Sequence, residues 1–120
     1  MMERLRIFSA SEGGCEEEQT MDNWIQLGTI LATAGIDSEM QDTYGFEEFC
    51  NRCLARHYYM DWGNLCEEDK KLNDLAVKTG DRILSAYNIP KDLRIGYADK
   101  IWIITEADRS RTTVLFPDEY

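Results

Sequence analysis

Lys100-Ile101-Trp102-Ile103-Ile104-Thr105, Glu106-Ala107-Asp108-Arg109-Ser110-Arg111 and Thr112-Thr113-Val114-Leu115-Phe116 follow one another near the C-terminus. The outer two runs are rich in β-branched and aromatic residues, and the six polar residues between them are enough to close a hairpin. Upstream, Arg82-Ile83-Leu84-Ser85-Ala86-Tyr87 is a third run of the same kind, separated from the hairpin by a proline-containing connection over 88–99. The expectation is a three-stranded antiparallel sheet, which needs a covered face to be stable.

The cover lies upstream, where the period of apolar residues rises from two to between three and four. Trp24, Leu27, Ile30 and Leu31 fall at helical spacing, which predicts a first helix over 22–35 with Gly35 placed to stop it. A second helix is predicted over 43–59, with Phe46, Phe49, Cys50, Cys53, Leu54 and His57 on one stripe. Asp61-Trp62-Gly63-Asn64-Leu65 interrupts the pattern, and a third helix over 66–78 resumes it through Leu72, Leu75 and Ala76. Its first turn holds Glu67, Glu68 and Asp69, its later part Lys70, Lys71 and Lys78, and Gly80 follows, the order a helix dipole and a left-handed C-terminal cap prefer. The expected fold class is α+β, three helices packed on a three-stranded antiparallel sheet.

Residues 1–20 show neither period, and Ser11-Glu12-Gly13-Gly14 reads as a break. They are expected to form a flexible arm, or a peripheral strand over 5–9, ahead of a single α+β domain over 21–120. A chain of 120 residues supports one core. No apolar run approaches the roughly 18 residues that span a bilayer, and Met1-Met2-Glu3-Arg4-Leu5-Arg6-Ile7-Phe8 is basic without the apolar stretch of a secretory leader. A cytoplasmic protein with its four cysteines reduced is expected.

The net charge is −10, and its distribution is uneven. Between Glu12 and Asn51 there are ten acids and no Lys or Arg, whereas the remainder balances thirteen acids against thirteen bases. Phosphate neutralisation needs clustered cations, so neither nucleic acid nor an anionic membrane is expected as a direct partner. A basic groove built for nucleic acid fits the charge better.

Cys50-x-x-Cys53-x-x-x-His57 with Cys66 has the residue types of a Cys3His zinc site. The first three fall inside an apolar helical stripe, where reduced cysteines behave as small hydrophobes, so core packing is the expected role and metal the alternative. His57 is the only histidine, and only Cys53 stands one helical turn from it, in an acidic region that would raise a thiol pKa. Asp61 with Glu68, or Glu106 with Asp108, are carboxylate pairs of the kind that 23 acids produce by chance. Gly13-Gly14 is followed by acids and cannot cradle a phosphate. No catalytic residue, metal or cofactor is expected.

Asp61-Trp62-Gly63-Asn64-Leu65-x-Glu67-Glu68-Asp69, Gly80-x-Arg82-Ile83-Leu84-Ser85-Ala86-Tyr87, the run from Lys100 to Ser110 and Thr112-Thr113-Val114-Leu115-Phe116-Pro117 together resemble a family of small plasmid- and mobile-element-related proteins of Gram-positive bacteria. The likeness spans about residues 21–120 and is most specific in the last forty. Such proteins often carry the label of a type I restriction endonuclease modification subunit. A methyltransferase needs a cofactor-binding sheet and an Asn/Asp-Pro-Pro-aromatic motif, and this chain has two isolated prolines. The family pattern does not require cysteine at 50, 53 or 66. The resemblance implies a non-enzymatic accessory of a mobile element, similar to anti-CRISPR and anti-restriction inhibitors, binding a basic nucleic-acid-binding protein such as a CRISPR effector or restriction nuclease. Asp37, Glu39, Asp42, Glu47, Glu48, Glu67 and Glu68 are the expected contacts. The alternative is a structural or regulatory homo-oligomer associating through a sheet face or edge.

Overall fold

The computed structural model describes residues 5–7, 24–93, 95 and 98–120. The hairpin forms as the alternation dictates: β4 (Lys100–Thr105) and β5 (Arg111–Leu115) are antiparallel, with Ile103 opposite Val114 and Thr105 opposite Thr112. β3 (Ile83–Asn88) runs antiparallel along the other side of β4, with Ile83 opposite Thr105 and Asn88 opposite Lys100. The predicted meander is therefore present, but it is not the whole sheet.

β2 (Thr29–Thr33) lies parallel to β5, Thr29 opposite Arg111, so the sheet is mixed and not purely antiparallel. The first predicted helix is thereby overturned over most of its length. Trp24, Leu27, Ile30 and Leu31 satisfy a helical spacing, yet Gly28 sits at φ +68, and a Cβ there would meet the Ser110 carbonyl at 2.4 Å. This close approach to the hairpin turn, with Thr29 N–H donating to Ser110 O at 3.0 Å, launches the strand beside β5. β1 (Leu5–Ile7) pairs antiparallel with β2, giving the order β1-β2-β5-β4-β3. The rest of the predicted arm, with Glu12, Glu16, Glu17, Glu18 and Asp22 of the acidic tract, lies outside the described residues.

The first helix, α1 (Ala34–Asp42), begins where the prediction ended one. Thr33 is its N-cap, and Gly35, expected to terminate a helix, lies in its first turn. The reason is at the other end of the chain. Glu119, in a 3-10 turn over Pro117–Glu119, accepts from Gly35 N–H at 3.0 Å, from the Thr33 hydroxyl and from Phe116 N–H at 2.9 Å. A Cβ on Gly35 would lie 2.5 Å from that carboxylate. A remote anion thus satisfies the Gly35 N–H and faces the positive end of the α1 dipole, while the Thr33 hydroxyl accepts from Ile36 N–H at 3.4 Å.

α2 (Phe46–Tyr58) and α3 (Glu67–Thr79) match the predicted helices closely. α2 lays its apolar stripe on the sheet: Phe46, Phe49, Cys50, Cys53 and Leu54 join Ile36 and Met40 of α1 against Ala32, Tyr87, Ile101, Ile103, Val114 and Phe116. A smaller cluster of Ile25, Trp62, Ala76 and Ile83 lies beneath α3. Here a second expectation fails. Leu72 and Leu75 are 61% and 55% exposed, while Asn73 is buried, so α3 turns its leucines outward.

Candidate functional site

Five of the seven predicted contact residues belong to one helix–turn–helix. α1 and α2 are joined by residues 43–45, with Gly45 in the left-handed region at φ 89 as the N-cap of α2. Asp42 at the end of α1 and Glu47 and Glu48 in the first turn of α2 are exposed. Glu39 accepts from the Thr43 hydroxyl at 2.7 Å, and Asp37 accepts from Gln41 Nε2 at 3.2 Å. No Lys or Arg occurs across 34–51; the nearest cation along the chain is Arg52, one turn further along α2 from Glu48. Tyr44 is fully exposed between the two helices. Glu67 and Glu68 stand apart from this group, on the first turn of α3, which packs on β3, with Glu67 3.9 Å from Lys70.

The cysteine–histidine set resolves differently. Cys50 and Cys53 are buried in the main core, and Cys66 is exposed at the N-cap of α3. Burial, reinforced by Cys53 and Glu47, holds the Cys50 thiol far above its ordinary range. Burial likewise pushes Cys53 up to about 12 against the opposing pull of Arg56 and Arg52. Such thiols are inert as nucleophiles. Among the described residues no group of three or more His, Cys, Asp or Glu side chains is placed to hold a metal ion.

His57 is completely buried with both ring nitrogens engaged: Nδ1 is 2.6 Å from Ser85 Oγ and Nε2 is 2.8 Å from Thr105 Oγ1. Thr105 Oγ1 is in turn 2.7 Å from Thr112 Oγ1, which donates to Leu27 O at 2.7 Å. Each hydroxyl has one proton, which fixes the direction of the chain. Thr112 spends its proton on Leu27 O, so Thr105 donates to Thr112 and accepts from His57 Nε2–H. Nδ1 then accepts from Ser85, and the ring is the neutral Nε2–H tautomer. Burial, assisted by the Arg109 charge, lowers the His57 pKa to about 3. The imidazole is a structural connector between α2 and three strands, out of reach of a substrate.

Asp61-Trp62-Gly63-Asn64 covers part of the outer edge of β3. Asn64 N–H donates to Ala86 O at 2.7 Å, Ala86 N–H donates to Trp62 O at 3.4 Å, and Asn88 N–H donates to Asn64 Oδ1 at 2.9 Å. Further along, Asn73 Nδ2 donates to Leu84 O at 2.7 Å and Asn73 Oδ1 accepts from Leu84 N–H at 3.4 Å. The groups through which an edge strand recruits another strand are thus occupied at Leu84 and Ala86. Gly63 sits at φ 76 with Ala86 O only 2.0 Å from where a Cβ would lie. Asp61 pairs with Arg56 at 2.8 Å; this contact holds the Asp61 carboxyl below its usual range.

Sequence reasoning missed two anchoring side chains. Glu119 caps α1 as described above, a role hinted at only by the Pro-Asp-Glu order of a short capped turn. Arg109, one of the six polar residues expected to close the hairpin, adopts φ 60 and donates from Nη1 to Asp81 O at 2.8 Å and from Nη2 to Ala76 O at 3.1 Å. It places a cation at the C-terminal end of α3, where the dipole favours one. Comparison with protein-family models, curated proteins and solved structures finds no match to this chain. Among the described residues no helix is long and apolar enough to cross a membrane.

Proposed function

We propose that the protein is a non-enzymatic, cytoplasmic accessory of a mobile element that binds a basic nucleic-acid groove on a defence nuclease, of CRISPR-effector or restriction type, and blocks its DNA. The observation that carries this reading is the α1–α2 helix–turn–helix, with Asp42, Glu47 and Glu48 exposed and no cation across 34–51. Carboxylates fixed on a rigid hairpin of helices compete with phosphates for the same Lys and Arg side chains, and the ordering cost is low because the scaffold is already formed. The resemblance to plasmid-related proteins supplies the biological setting. The buried His57 and the raised thiol pKa values of Cys50 and Cys53 favour a binding role over a catalytic one.

Plasmid cleavage by guide-loaded CRISPR effectors and by restriction nucleases, with and without stoichiometric protein, tests the proposal. One nuclease of the panel is expected to be inhibited, and Asp42→Lys, Glu47→Lys and Glu48→Lys together are expected to abolish inhibition with the circular dichroism spectrum unchanged. Inhibition that survives this charge reversal rejects the electrostatic reading. Full cleavage by every nuclease rejects the inhibitor reading.

A further inference from the structure

The outward leucines of α3 define a second surface that the proposed function does not use. Leu72 and Leu75 lie beside a groove of about 430 Å³ whose walls include Leu65 and Leu84, with Asp69 and Arg82 also lining it. The leucines straddle Asn73, the central residue of a 13-residue helix. On a helical wheel Glu68, Leu72, Leu75 and Thr79 form one exposed stripe, with Lys71 and Lys78 beside it.

We infer that this stripe is a self-complementary interface at which α3 packs antiparallel on α3 of a second copy about a two-fold axis. Charge selects the occupant. An axis midway between Leu72 and Leu75 sets Leu72 against the partner's Leu75, and reciprocally, and brings Glu68 to within one residue's rise, about 1.5 Å along the helix, of the partner's Lys78. The acidic first turn of α3, Glu67, Glu68 and Asp69, then meets the basic last turn of the other helix, and the two helix dipoles oppose. A parallel pairing would place acid on acid. An isologous contact makes each favourable pair twice, which is how a weak patch becomes a specific dimer. The exposed leucines fill the facing grooves, the arrangement of knobs between antiparallel helices. The outer edge of β3, next to this helix, is occupied at Leu84 and Ala86, so strand addition there does not compete with the helix contact.

Sedimentation velocity of the full chain over a dilution series tests the inference. A monomer–dimer equilibrium with Kd on the order of 100 µM is expected, since the contact is smaller than a standard interface. Leu72→Glu is expected to weaken it at least about 100-fold, because a charge replaces the central apolar contact. Glu68→Lys alone, and Lys78→Glu alone, are each expected to raise Kd about tenfold, while the double exchange returns it to near the starting value, which general hydrophobic aggregation would not do. All three side chains are exposed, so the fold is retained and is checked by circular dichroism. A monomer at every concentration up to about 1 mM overturns the inference. So does a dimer indifferent to Leu72→Glu, or one that the double exchange fails to restore.

Discussion

Acidification from pH 7 to pH 5 is expected to remove about 2 kcal/mol of stability through His57 alone. In the folded chain its pKa is about 3; in the unfolded chain it takes the ordinary value of about 6.5. The folded state favours the neutral ring, so this contribution is fully present above about pH 6.5 and is lost as pH falls toward 3. At pH 5 the unfolded histidine is almost entirely protonated and the folded one almost entirely neutral, and the difference from pH 7 is about 1.4 pK units at 1.36 kcal/mol each. The figure is set by the unfolded value, because the folded one lies well below pH 5. His57 is the only histidine, so it alone among the side chains has its ordinary pKa inside this window. The carboxylates of a chain at −10 act in the opposite direction, since protonating them relieves repulsion. The measurement is therefore a difference: urea unfolding, followed by tryptophan fluorescence, of the wild type and of His57→Gln at pH 7, 6 and 5. The wild type is expected to lose about 2 kcal/mol relative to the variant across that range, whatever the variant's absolute stability. Parallel pH dependence of the two proteins would refute the buried, doubly bonded neutral ring. So would a ¹⁵N spectrum at pH 7 showing the Nδ1–H tautomer.

Glu119→Ala removes the carboxylate from the Gly35 and Phe116 amides and the Thr33 hydroxyl and is expected to cost about 2 kcal/mol, with Glu119→Gln costing less, both read from urea midpoints. Gly63→Ala combines a left-handed φ with a Cβ driven into Ala86 O and is expected to destabilise by about 3 kcal/mol or more, and to accelerate amide hydrogen exchange at Ala86 and Asn88 before global unfolding. In native protein at pH 8, Ellman's reagent is expected to react rapidly with Cys66, whereas Cys50 and Cys53 react at the unfolding rate. Fast native labelling of either buried thiol would contradict their place in the core.

The strands β3, β4 and β5 and the helices α2 and α3 were legible because each carries its own periodicity and its own stop signals, such as Gly80 past the end of α3. β2 was not. Its apolar residues satisfy a helical spacing by coincidence, and its partner β5 lies some eighty positions away, so the pairing leaves no local trace. The inward face of α3 was misassigned for a related reason: Asn73 is buried because it imitates a strand toward Leu84, a role invisible to a hydrophobicity pattern. The His57 chain was half legible. Alternation places Ser85, Thr105 and Thr112 on the face that meets α2, but only the strand register brings the three hydroxyls to one end of that face. Asp37, Glu39 and Asp42 were read as part of the loop between two helices; the structure puts them on α1, whose start is capped by Glu119 from the far end of the chain, a contact that leaves no local trace.

The recognition role of that surface is tested most directly by equilibrium displacement of a labelled DNA duplex from the inhibited nuclease, measured by fluorescence anisotropy at several salt concentrations. The wild-type protein is expected to release the DNA competitively, with an affinity that falls as ionic strength rises and the screening length contracts below about 8 Å, while the Asp42, Glu47 and Glu48 charge reversal leaves the DNA bound. Release of the DNA by the reversed protein at the wild-type concentration would contradict the account.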